Sequence, residues 1–210
     1  GFSQALEDAV NEGGDRNILF IAAAGNSGTD NDASASYPSN MTCTRTSAGA
    51  ARGWDCIVAV AAIDANGNLA SFSQYGATTV DLGAPGVNIL STLPGASYGA
   101  FSGTSMATPH VTGAVALCAS QDAGISGQEA RQFLLSSTAT TASLAGKTTS
   151  SGRLDVATMM GSCAPAPVPM TGLPSSLSMG ARSRTGITIG WTDGVANESR
   201  FEVQRARFTS

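Results

Sequence analysis

The chain opens with an amphipathic pattern over residues 3–11. Leu6, Ala9 and Val10 fall at i, i+3 and i+4, with Ser3 placed to cap the first turn. Gly13-Gly14 is expected to end that helix. A continuous apolar run follows, Ile18 to Ala24, stopped by the turn cluster Gly25-Asn-Ser-Gly28. An unbroken apolar run between turn signals predicts a strand buried on both faces, as in a parallel sheet. Residues 29–55 are polar and irregular, and a second apolar strand is predicted from Ile57 to Ile63. Short strands are expected at Val80–Leu82 and Val87–Leu90, on either side of Ala84-Pro-Gly86, and a further one at Tyr98–Phe101.

The longest helix is predicted over residues 104–120. Ala107, Val111, Ala114, Val115 and Cys118 share one face, and the small residues Gly113 and Ala116 elsewhere suggest burial nearly all round. Ser126 with Glu129 three residues on is a capping box that opens another helix, and a last one is expected over Leu154–Met160. At Ala164 the pattern changes. Residues 164–174 open with the proline-rich run Ala-Pro-Ala-Pro-Val-Pro169, a stiff linker. Alternating segments at Leu177–Ala181, Ile187–Trp191 and Phe201–Gln204 then begin an all-β unit over 175–210.

Composition narrows the function. Charged residues make up 12% of the 210, about half the usual globular share of roughly 25%. With a net charge of −4 and no basic stripe, nucleic-acid binding is excluded, and no apolar run is long enough for a membrane span. The four cysteines are even in number and lack a C-x-x-C pair, which favours disulfides and an oxidising compartment over zinc. Cys43 and Cys56 bracket an irregular segment and are expected to pair. Cys118 is either a core thiol or a partner for Cys163.

Two segments carry chemistry. In Phe101-Ser-Gly-Thr-Ser-Met-Ala-Thr-Pro-His110 a small-residue turn delivers Ser105 to a helix N-terminus, where free N–H groups favour negative charge. Read alone, Ser105 or Thr104 is either a nucleophile or a simple cap. Asn26, at the C-terminal end of a buried strand, stands where open α/β sheets bind ligands, or is a turn asparagine.

Taken together, Ala22-Ala-Ala-Gly-Asn-Ser-Gly28, Tyr37-Pro38, Val58-Ala-Val-Ala61, Ser71-Phe-Ser73, Asp81-Leu-Gly-Ala-Pro-Gly86, Gly103-Thr-Ser-Met-Ala-Thr-Pro-His110 and Gly152-Arg-Leu-Asp-Val156 resemble the subtilisin-like serine proteases over residues 1–163. The resemblance implies a three-layer α/β fold with a mostly parallel sheet, and peptide-bond hydrolysis through an acyl-enzyme on Ser105. It makes Asn26 the oxyanion-hole amide, supported by Thr104, and Ala23, Ala24, Gly25 and Ser36 the small, uncharged walls of the primary specificity pocket. Met106, beside the nucleophile, is an oxidation point.

The family's order is Asp, His, Ser. The one histidine, His110, follows Ser105 and on a helix points about 140° away from it. It is expected to be a buried structural residue. The catalytic Asp and His are therefore expected upstream, so that this chain is the C-terminal part of a domain whose N-terminal half is its missing partner, and is inactive alone. The expected substrate is a protein or peptide, the expected location extracellular, and no cofactor is required. Asp30 and Asp32, near Tyr37-Pro-Ser39, form either a calcium site or a solvated acidic loop. Residues 175–210 resemble the start of a fibronectin type III domain, with Trp191 at its core tryptophan. The alternative function is an inactive scaffold that binds a surface through that module. A lipase of the α/β-hydrolase kind fits less well, because Gly103-Thr-Ser-Met-Ala107 lacks the second glycine of G-x-S-x-G.

Overall fold

The computed structural model describes residues 1–122, 124–163, 175–182 and 187–192. The chain divides into two compact units, Gly1–Pro165 and Ala166–Ser210. The linker at 164–174, the strand expected at Phe201–Gln204 and the side chain of Trp191 lie outside the described residues.

Ser3 caps α1 (Gln4–Asp15) by accepting from the Leu6 N–H. The helix runs through Gly13-Gly14 instead of ending there. Gly14 is buried, and a Cβ on it would lie 2.7 Å from Cys56 Sγ and against the Arg52 guanidinium. This glycine therefore serves close packing. The reversal falls to Asn17, at φ 63°. β1 (Phe20–Ala23) pairs in parallel with β2 (Ile57–Ile63), and β2 with β3 (Leu82–Pro85).

β3 takes in Ala84-Pro85, which the sequence suggests as a turn, because the ladder to Ala62 and Ile63 continues through them. β4 (Ile89–Leu93) and β5 (Ser97–Phe101) form a separate antiparallel hairpin. β6 (Ala139–Thr140) and β7 (Gly152–Arg153) complete a five-stranded sheet of order β1-β2-β3-β7-β6, parallel except at β6.

β2 is the centre of the core, with all seven residues buried. Val58, Val60 and Ala62 face α2 (Thr104–Gln121), α3 (Gly127–Ser136) and α4 (Val156–Cys163), whose Val111, Leu134 and Met159 are at most 1% exposed. Each such aliphatic side chain contributes roughly 1.5–3 kcal/mol. On the other face Ala59 and Ala61 pack with Ala24 and Val80, while Ile57 joins Val10 of α1, Met41 and both cysteines of the 43–56 loop. β1 is only half-buried, short of burial on both faces. α2 is likewise not buried all round: Gly113 and Ala116 are exposed, and Leu117 is 45% exposed. α3 opens with the full capping box, Ser126 with Glu129.

Cys43 is bonded to Cys56, with Cα atoms 5.0 Å apart, and Cys118 to Cys163, at 5.3 Å. The second bridge fastens α2 to α4 across 45 positions. Chain-entropy reasoning gives about 4 kcal/mol for it, against about 3 for the shorter loop. Changing Cys118 and Cys163 together to alanine is expected to lower the Tm by about 10 °C, measured by calorimetry.

In the second unit β8 (Ser175–Arg182) pairs antiparallel with β9 (Ile187–Thr192).

Candidate active site

β1 delivers the chain to the C-terminal edge of the sheet. Ala24 still donates to Val60 O, then Gly25 turns at φ 116°, a conformation that favours glycine. This turn sets Asn26 against the start of α2. Gly103 is anchored to the exit of β3 by its N–H to Gly86 O, 2.8 Å.

Three hydrogen bonds lock the junction. Asn26 Oδ1 accepts from the Thr104 N–H (2.8 Å) and from the Thr104 hydroxyl (2.9 Å), and that hydroxyl accepts from the Gly25 N–H (3.2 Å). A backbone N–H can only donate, so the amide orientation of Asn26 is settled: Oδ1 faces Thr104 and Nδ2 is left to donate elsewhere. Thr104 is fully buried, whereas Asn26 and Ser105 are exposed. Ser105 is the second residue of α2, within the first turn, where N–H groups have no helical acceptor. Pro109 has no N–H to offer the Ser105 carbonyl one turn back.

The structure thus brings Asn26, Thr104 and Ser105 together although 78 positions separate Asn26 from Thr104. Ala23 is half-buried and, with Ser105, Thr108, Pro109, Thr112, Gly113 and Ala116, lines an open apolar cleft of about 670 Å³. Ala24 turns its side chain into the core, so only its backbone is free to line a pocket. Ser36 is half-buried, its N–H held by Asn40 Oδ1.

His110 does not meet expectation. It is exposed, not buried, and its Nδ1 lies 2.9 Å from Met106 O on its own helix. Its place on α2 still turns it away from Ser105.

The carboxylates of the 30–32 turn are already engaged. Asp32 accepts from the Thr78 N–H and the Thr79 hydroxyl (2.6 Å), and Asp30 Oδ1 accepts from the Asp32 N–H. These hydrogen bonds hold the Asp32 carboxyl below its usual range, against a smaller net burial effect. A calcium ion needs six to eight oxygens free of donors, roughly. The turn as arranged does not fit one, and among the described residues no group of three His, Cys, Asp or Glu could hold a metal.

Sequence reasoning missed two polar groups. Gln74 and Asn31, 7% and 2% exposed, bond behind Gly25. Gln74 directly follows the Ser71-Phe-Ser73 motif, and its buried place could not be read from that motif.

At the opposite, N-terminal edge of the sheet, Asp81 accepts from the Ala59 N–H (2.8 Å) and pairs with Arg131 (3.0 Å). Burial pushes its carboxyl up to about 6, with the charge of nearby Asp55 acting in the same direction and Arg131 opposing. Folding raises this pKa from 3.8. The group's contribution to stability is therefore fully present below that value and lost as pH rises through 6, by about 3 kcal/mol in all. Asp81→Asn is expected to gain on the wild type by that amount between acidic and neutral pH, read from urea unfolding across the range.

The subtilase family model matches residues 1–161. Over 132 residues the chain is 46% identical to Subtilisin BL of Lederbergia lenta, covering 63% of this chain and 43% of that protein. It is 41% identical over 139 residues to Subtilisin DY of Bacillus licheniformis, covering 66% and 45%. Among solved structures, proteases from Pseudoalteromonas arctica PAMC 21717 superpose with a TM-score of 0.63 at 28% identity, covering 78% of this chain and 48% of theirs. The chain thus spans less than half the length of these relatives. From α1 almost to the end of α4, including the junction of Asn26 with the nucleophile turn, the chain belongs to the subtilase family.

Proposed function

We propose that these residues form the nucleophile half of a serine endopeptidase site, acting on protein or peptide substrates. The observation that carries the reading is the lock of Asn26 Oδ1 onto Thr104, which leaves Nδ2 and the Ser105 N–H as two free donors beside the Ser105 hydroxyl. Ser105 Oγ attacks the scissile carbonyl carbon and gives its proton to a general base. The carbonyl oxygen becomes an oxyanion and accepts from the two donors. Collapse expels the amine, which takes the proton from the base, and water then hydrolyses the acyl-enzyme. Thr104 supports the oxyanion site, and Ala23, the Ala24 backbone, Gly25 and Ser36 shape the primary pocket. The sequence's one imidazole, His110, is turned away, so the base and its aspartate come from a segment outside these 210 residues. No cofactor enters these steps.

Two disulfides and the bacterial subtilisin relatives support an extracellular protein. The antiparallel β8–β9 pair supports an all-β module, which we read as the start of a fibronectin type III-like domain.

The test is to assay a chromogenic peptide with residues 1–210 alone and with the segment that carries Asp and His. Turnover is expected only in the second sample. Equal turnover in both, abolished by Ser105→Ala, would mean the base is misassigned.

A further inference from the structure

We infer that Gln74 determines specificity in the primary pocket, presenting a fixed hydrogen-bond acceptor to the substrate side chain; this rests on the pocket reading of Gly25 and Ser36 above. The orientation follows from a relay that starts at the backbone. Ala24 O can only accept, so the Asn31 atom 3.0 Å from it is Nδ2. Asn31 Oδ1 then faces Gln74 and accepts from Gln74 Nε2 at 2.7 Å. Gln74 Oε1 is thereby turned the other way, onto the face of Gly25 where a side chain would stand, with Ser36 Oγ on the same face. The Gln74 N–H also donates to Gly25 O at 2.9 Å, so backbone and side chain both hold the residue to this spot.

Gln74 is 7% exposed. Its Oε1 accepts no hydrogen bond among the described residues, and it is not among the polar atoms sealed from solvent. An oriented, unpaired acceptor in a nearly closed setting rejects groups that leave it unpaired. The pocket is thus not merely roomy and uncharged. It favours an uncharged side chain carrying a donor, such as glutamine, over an apolar one of equal length, such as methionine.

The experiment uses the full-length protease and peptides that differ only in the residue before the scissile bond. Wild type is expected to cleave after glutamine with higher kcat/KM than after methionine, and this ratio needs no variant. Gln74→Met is expected to lower that ratio about tenfold, and Gln74→Glu to raise cleavage after lysine relative to methionine by at least about tenfold, mainly through KM. A wild-type preference for methionine overturns the inference. Ratios within twofold of wild type in folded variants overturn it as well. Labelling of Ser105 by a phosphonate probe separates the two readings. A labelled enzyme with unmoved ratios defeats this inference alone, whereas a wild type that resists labelling defeats the proposed function and this inference with it.

Discussion

Ser105→Ala is expected to abolish turnover, by a factor on the order of 10⁶ in kcat, a magnitude that belongs to the subtilisins as a family and does not come from this geometry. What is specific to this chain is what stays behind. Ser105 is exposed at the second position of α2, and no hydrogen bond among the described residues uses its hydroxyl. Alanine suits a helix, so unfolding free energy should stay within about 0.5 kcal/mol of wild type. The Asn26–Thr104 lock survives, because it uses the Thr104 backbone and hydroxyl. KM should therefore be nearly unchanged while kcat collapses. The measurement is steady-state kinetics on the full-length protease beside calorimetry. A variant that loses stability along with activity would point to a structural role for the serine.

Asn26→Asp should separate holding the loop from stabilising the transition state. One carboxylate oxygen can accept both Thr104 donors as Oδ1 does now. The other replaces an N–H donor with negative charge at the place where the oxyanion forms. A fall of about 10²–10³ in kcat is expected, roughly 3–4 kcal/mol of barrier, again a figure that belongs to this family. Asn26→Ala should cost a similar factor but also release Thr104 from its acceptor, and so be the less stable of the two. The comparison is read from kcat and Tm together. An aspartate variant with near-wild-type kcat would remove Asn26 from the oxyanion site.

Much of this was legible in the chain. The run Ile57–Ile63 is β2 to the residue, because seven consecutive apolar positions bounded by turn signals leave little room for another reading. Ser3 and the Ser126–Glu129 box were legible because capping is local chemistry. Gly13-Gly14 misled because a glycine marks either a chain reversal or a close approach, and only the partner, here Arg52 and Cys56, decides which. His110 misled because a helix pattern gives an angle on α2 but not what covers that angle. The pairing of Cys118 with Cys163 was open for the same reason: it depends on α2 and α4 lying side by side. The roles of Asn26 and Ser105 came from motif resemblance. Local pattern alone left each as an ordinary turn or cap residue.

The Cys118–Cys163 bridge has a consequence for survival. On the proposed function the molecule lives among copies that can digest it, and a peptide bond is cut only after its segment has opened locally. Helix ends fray most readily, yet the last residue of α4 is fastened to the fourth-last residue of α2, the helix that carries Ser105. Opening this end therefore requires the nucleophile's own helix to open. Self-digestion is thereby expected to favour molecules in which this bond has never formed, so that an ageing, active population would purge its own misoxidised members.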